Sequence, residues 1–374
     1  QPPRLGRPSP EGESSWLDGR PVWAAAIGKA ASSMALGAAD ALGPALERLF
    51  IVTKEGHSDD EARRLPCAEV LECGHPLPDR RSLEAGARLL RIIDDMPAGV
   101  QPLFLVSGGA SSLIEALVPG VTLDDLRRLN SDGLASGLPI DALNARRREI
   151  SLVKGGRLAA RLAGRRAVAL FISDVPGDDP AVIGSGVMGP AMGTGTRDAP
   201  GLDDIARIVI ATNDDARQAV RAAAHGMSVR MPEERYDGDA QRLAVRVAHE
   251  VALGDAALGI WGGESVIELP PQPGRGGRNQ HLALAAARLI AGRDDLFLLA
   301  AGTDGTDGPT ADAGALVDGE TCARVAAAGL DVDECLRRAD SGTALAAAGD
   351  LVHTGPTGTN VGDLILGLKL PCAC

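Results

Sequence analysis

The chain has 374 residues and a formal net charge of −12. It is too long for one ordinary core and too acidic to favour a phosphate-built partner, so two domains and no nucleic-acid partner are expected. Hydrophobic residues make up 45% and charged residues 24%, the balance of a globular protein, and no apolar run reaches the roughly 18 residues a membrane span needs.

Aromatic residues amount to 2%, which leaves few rings for stacking, so an adenine pocket would have to be largely aliphatic. Cysteines stand at 67, 73, 322, 335, 372 and 374 without a CxxC pair; they read as scattered reduced thiols of a cytoplasmic protein. The histidines show neither HExxH nor paired ligand spacing, so nothing argues for zinc. The N-terminal QPPRLGRPSPEGESSW has no signal-peptide layout, and without an initiator Met it reads as an incomplete start.

In chain order, VWAAAI (22–27) predicts a strand, followed by a tight turn and a helix through GKAASSMALGAADAL. LFIVT (49–53) and AEVLEC (68–73) are further strands, and SLEAGARLLRIID is an amphipathic helix. PLFLVSGGASSLIEAL (102–117) repeats strand, Gly loop and helix; RAVALFISDVPGDD (166–179) is a strand running into an acidic loop. ARIVIATNDDARQAVRAAA (206–224) is strand, cap and helix. Such alternation predicts a parallel sheet with helices on both faces and ligands at the C-terminal strand ends. A charged helical stretch from 227 to about 256 marks the domain boundary, taken at 240/241. Strands resume at LGIWGG, LFLLAAG and DLILGL.

Several loops carry chemistry-bearing residues. Lys29 opens the first helix, where the macrodipole disfavours a cation unless an anion lies in front of it; the plain alternative is a solvated lysine. The loop SGGASS (107–112) offers Ser107, Gly108, Gly109 and Ser111 to a phosphate, although helix capping alone would explain the serines. Arg147, Lys154 and Arg157 surround a Gly pair in NARRREISLVKGGRLAA, where a basic helix face is the alternative. Asp174 ends a strand, as a metal ligand or proton acceptor would, and as a turn-capping aspartate would too.

The loop GRGGRNQ brings Arg278 to a helix start with backbone amides open to an anion. Strand LFLLAAG then ends at Gly302 in a loop with Asp304, Asp307 and Asp312. GSGVMG (184–189) matches GxGxxG but follows no strand directly and meets Pro190, so a dinucleotide site is not expected there.

GKAASSM, ECGHPLPD, LVSGGASSLIEA, IDALNARRREISLVKGGRLA, ISDVPGDDPAVIGSG, GGES, GRGGRNQHLAL, AAGTDGTDGPTADAGA and HTGPTGTNVGDLILGL occur in that order. Together, across nearly everything from Trp23 to Leu368, they resemble the type-2 glycerate kinases, whose C-terminal part is the MOFRL domain. The resemblance implies a Rossmann-like parallel α/β domain (1–240) and a smaller α/β MOFRL domain (241–374), with the active site in a cleft between them. It implies ATP-dependent phosphorylation of D-glycerate at the 2-hydroxyl with Mg²⁺, by a cytoplasmic monomer or homodimer. Family members have also been called hydroxypyruvate reductases, and an NAD(P)H-dependent reductase is the alternative. A catalytically silent sugar-acid binder is a further one.

Lys29 and Arg278 match the family's proposed catalytic pair. By that logic the ATP phosphates lie on the 107–112 and 302–307 loops and Lys154. Asp174 and Asp304 offer carboxylates to the metal, and Asp174 orients the hydroxyl. Two departures stand out: the family's NxVRKHLS reads NARRREIS, with Glu149 for the histidine, and SGGGSA reads SGGASS, with Ala110 and Ser112 changed.

Overall fold

The computed structural model describes residues 19–135, 140–162, 164–190 and 204–371. By internal contacts the chain divides into two compact units, Gln1–Ala211 and Thr212–Cys374. The break falls ahead of 240/241 because the helix Asn213–Ala223 packs on a strand of the second unit. Cys372 and Cys374 lie outside the described residues.

The first unit holds six strands: β1 (Val22–Ile27), β2 (Leu46–Lys54), β3 (Ala68–Cys73), β4 (Gln101–Val106), β5 (Ala167–Ile172) and β6 (Ile205–Ala211). All pair in parallel, in the order β3-β2-β1-β4-β5-β6. Both faces are covered. Ala25, Ile27, Phe50, Val52 and Phe104 pack with Ala85, Leu89, Ile92 and Ile93 of the helix Arg80–Asp94, while the alternate residues Ala24, Ala26, Leu49 and Ile51 are also buried. Two-sided burial is why these strands read as unbroken apolar runs rather than alternating ones. Each buried phenylalanine contributes about 1.5–3 kcal/mol of transfer free energy.

This order reverses direction between β1 and β4, so the loops leaving their C-terminal ends diverge and leave a crevice. The segments after β1 and after β4 are the two Gly-containing loops read from the sequence.

The second unit also has six strands: β7 (Val229–Arg230), β8 (Leu258–Gly263), β9 (Leu296–Gly302), β10 (Gly314–Asp318), β11 (Leu351–Val352) and β12 (Asp363–Lys369). Their order is β11-β10-β9-β12-β8-β7, and β7–β8 is the parallel pair. The other pairs are antiparallel, which corrects the expectation of parallel pairing here. The last strand, β12, inserts between β8 and β9, and β10 folds straight back along β9. Burial alternates along β9 and β12, as one covered face requires. Over that face lies the helix Arg278–Leu289, with nine of its residues buried, beside the helix Ala240–Leu253.

No helix among the described residues is long and apolar enough to cross a membrane. The described cysteines are free thiols. Burial raises the thiol of Cys73 to about 12 and lifts those of Cys322 and Cys335, so none is activated as a nucleophile.

Candidate functional site

At the switch point of the first sheet, the loops after β1 and β4 are tied together by backbone bonds. The Ser107 amide donates to the Ile27 carbonyl (2.9 Å) and the Lys29 amide to the Gly108 carbonyl (2.9 Å). The Ser107 hydroxyl, fully buried, accepts from the Ala30 amide at 3.1 Å. Gly28 makes this closure possible: its φ is +131°, and a Cβ there would lie 2.1 Å from Ser107 Oγ. Ser107 therefore fastens the crevice, and its hydroxyl is already engaged. A Cβ on Gly109 would come within 3.2 Å of Lys29 Cγ and of His75 Nε2. The bare glycine thus lets the Lys29 stem and the His75 ring lie side by side along the loop. Where the sequence suggested a long helix after this loop, the structure has one turn, Ala110–Leu113.

Next to His75 a small cleft is lined by Pro76, Ser111, Ser112, Leu126, Arg147 and Lys154. Lys154 is 1% exposed and makes a short ion pair with Glu115, itself fully buried. Glu115 also accepts from the Ser151 hydroxyl. Its placement comes from the helix Arg80–Asp94: its amide donates to the Ser82 carbonyl at 3.0 Å. At Gly86 a Cβ would sit 1.9 Å from the Glu115 carbonyl oxygen, so only glycine permits this contact. Burial lowers the Lys154 ammonium, against the pull of Glu115. Burial likewise lowers Arg147, whose guanidinium donates to Asn144 at 3.2 Å. Glu149, the departure from the family histidine, is exposed and takes no part in this lining.

Asp174 follows β5, the neighbour of β4, and is half-buried. The GSGVMG stretch passes through a short 3₁₀ turn (Ile183–Ser185), and no helix opens within 186–190. The geometry a dinucleotide pyrophosphate needs is missing there.

In the second unit Arg278 is the first residue of its helix. Its Nε donates to Asp363 Oδ2 (2.6 Å) and its Nη2 to Asp363 Oδ1 (3.1 Å), while Nη1 lies 2.7 Å from Glu264. Asp363, at the start of β12, is 1% exposed. Burial works against the Arg278 charge, but Asp363 and Glu264 outweigh it and hold the guanidinium above its ordinary value.

Asp307 does not face solvent. Its Oδ1 accepts from the Asn279 amide (3.1 Å) and its Oδ2 from the Gln280 amide (2.8 Å), which caps the Arg278 helix. A Cβ on Gly277 would fall 2.3 Å from the Asp307 carboxyl carbon. The glycine of GGRNQ thus admits this cap, and those amides are spent, where the sequence suggested amides open to phosphate. Burial raises Asp307 to about 7, against the pull of the two amides. Asp304 is 4% exposed and accepts from the Thr306 amide at 2.9 Å. At Gly302 a Cβ would stand 3.2 Å from Asp304 Oδ1 and 3.5 Å from Asp363 Oδ1, so these carboxylates line the same backbone turn. Asp312 pairs with Arg275 at 2.7 Å.

Glu115, His75, Glu264 and Asp363 were not picked out from the sequence. Each lies inside a motif noted there, but nothing in a linear motif says which partner it meets. Among the described residues no three His, Cys, Asp or Glu side chains gather as a metal site.

Comparison with known proteins brings two family models into register. One, described as a domain of unknown function (DUF4147), matches residues 8–223; the MOFRL family model matches 257–363. A D-glycerate 2-kinase from Thermotoga maritima is 38% identical, over 92% of this chain and 89% of its own. A protein from Agrobacterium vitis bearing a hydroxypyruvate reductase name is 34% identical, over 84% of this chain and 90% of its own. The crystal structure of a glycerate kinase (EC 2.7.1.31) from Thermotoga maritima superposes with a TM-score of 0.80 at 35% identity. It covers 95% of this chain and 92% of that one.

Proposed function

Because the chain belongs to the type-2 glycerate kinase family, a DUF4147 region followed by MOFRL, we propose that it phosphorylates D-glycerate. ATP supplies the phosphoryl group, the 2-hydroxyl accepts it, and the products are 2-phosphoglycerate and ADP. The observation that carries this reading is the paired crevice at the β1/β4 switch point, where Lys29 stands beside the Gly108–Gly109 turn. Phosphoryl transfer asks a protein chiefly for positioning and for positive charge around the transferred group.

In this reading Lys29 neutralises charge on the transferring oxygens, with the Gly108–Gly109 backbone and Ser111 alongside the nucleotide phosphates. Arg278, oriented by Asp363, offers the outer edge of its guanidinium to the same chemistry. Asp174 takes the proton of the acceptor hydroxyl. Lys154 serves through its pair with Glu115, holding the floor of the cleft.

Mg²⁺ fits as an ion that arrives on the nucleotide. Asp174 and Asp304 present single carboxylates rather than a protein-built cage, as a phosphate-borne Mg²⁺ requires. Bound there it supplies further neutralisation of the phosphates. The reading assigns the enzyme to the cytoplasm, in keeping with its free thiols.

Phosphorus NMR of the products from ATP, Mg²⁺ and D-glycerate tests the proposal. A 2-phosphate resonance with stoichiometric ADP is expected. Oxidation of NADH by hydroxypyruvate without phosphate transfer would replace the kinase by the reductase.

A further inference from the structure

We propose that the cleft beside His75 seats the carboxylate of the acceptor: a small 2-hydroxy acid lies with its carboxylate on Arg147, flanked by Ser111 and Ser112, and its hydroxyl toward Lys29. This rests on the kinase reading and adds to it the side chains that select the acceptor.

The first support is a charge imbalance. The ionic groups acting on one another here are Lys154, Arg147 and Glu115, two cations and one carboxylate. Glu115 is engaged by Lys154 and the Ser151 hydroxyl. Arg147 is held by Asn144 and loses hydration that Glu115 does not restore. A buried guanidinium in that state gains from a carboxylate brought against it, and its planar fork suits two oxygens.

The second support is shape. The cleft holds about 220 Å³ of free space including its open mouth, room for a three-carbon acid and too little for a nucleotide. Pro76 and Leu126 form an apolar side that keeps water from the carbon chain, with the polar groups confined to the Ser111, Ser112 and Arg147 side. The third support is continuity. Pro76 directly follows His75, whose ring and the Lys29 stem flank the same glycine, Gly109, so an acid seated here extends toward the lysine.

The proposal is tested by calorimetric titration of D-glycerate into the wild type, Arg147→Met and Arg147→Lys, with a non-hydrolysable ATP analogue titrated in parallel. Arg147→Met should weaken glycerate about a hundredfold and leave the analogue unchanged, and Arg147→Lys should recover part of the loss. Hydrogen exchange on the wild type is independent of whether the variants fold. Glycerate alone should protect amides in 110–117 and 143–154, and the analogue alone should leave 143–154 unprotected. Folded Arg147→Met that binds glycerate as tightly as the wild type, or glycerate protection that misses both segments, overturns the assignment while leaving the kinase reading intact. A wild type that forms no phosphoglycerate would instead remove the reading on which it rests.

Discussion

Arg278 and Asp363, 85 residues apart in the chain, lie as a two-bond pair at the start of the helix Arg278–Leu289. The carboxylate is buried and the guanidinium partly exposed, so the aspartate holds the inner edge while the outer edge stays available. This pairing makes Asp363 a positioning residue. Arg278→Ala should lower turnover about a hundredfold, on the order of 3 kcal/mol of transition-state stabilisation. It should also lower the melting temperature, because it leaves Asp363 buried without its cation. The double change Arg278→Ala with Asp363→Ala should regain melting temperature over either single change and regain no activity. Steady-state kinetics beside a thermal melt reads both effects; a double variant less stable than both singles would contradict the pairing.

Lys29→Met should separate function from stability. The lysine stands just before the helix Ala31–Leu42, at the end where a positive charge is unfavourable. Its stem contact along Gly109 survives in methionine. Melting should stay within a few degrees of the wild type, and turnover should fall at least about a hundredfold. A variant that melts far lower yet keeps its activity per folded molecule would make the residue structural.

The buried pair Lys154 and Glu115 predicts asymmetry between single and double variants. Glu115→Gln leaves a fully buried ammonium without its counter-charge and should cost about 3–5 kcal/mol. Lys154→Met with Glu115→Leu replaces both charges by apolar groups and should cost less than either single change. Urea unfolding of the three variants decides it.

Asp307 carries a pH signature. Its carboxyl is raised to about 7 in the folded chain and titrates near 4 when unfolded. The folded state therefore binds this proton more tightly. The stability it confers is complete below about pH 4 and is lost as the pH rises to about 7. Asp307→Asn abolishes that titration. It should flatten the dependence of unfolding free energy between about pH 4 and 7. It should also lower stability by about 1–2 kcal/mol, because its amide nitrogen would face a backbone N–H. Denaturation at pH 4.5, 6 and 7.5 measures the slope, and an unchanged slope would count against the assignment.

Local order was the legible part of this sequence. The bounds of β1 and β3 follow directly from apolar runs ended by Gly-containing turns, and Lys29 and Arg278 stand at helix starts as read. What could not be read was pairing at a distance. The antiparallel second sheet depends on β12 entering between β8 and β9, which no periodicity records. The purpose of the GGRNQ glycines was misread for the same reason. They make room for a carboxylate arriving from residue 307, and an exposed phosphate cradle leaves the same local pattern. Glu115 sits in an apolar stretch and acquires meaning only through Lys154, 39 residues on.

The insertion of β12 also has a consequence in time. As the chain is synthesised, the first unit has all six of its strands once residue 211 is made, and it can fold while the remainder is still being added. The second sheet is in the opposite position: its central strand is the last of the twelve in chain order, so β8 and β9 must wait as separate edges until residues 363–369 emerge. Arg278 then meets its carboxylate at the final stage of assembly. The interval leaves two unpaired strand edges exposed, and slower translation of the stretch between 303 and 362 should lengthen it and raise the aggregated fraction.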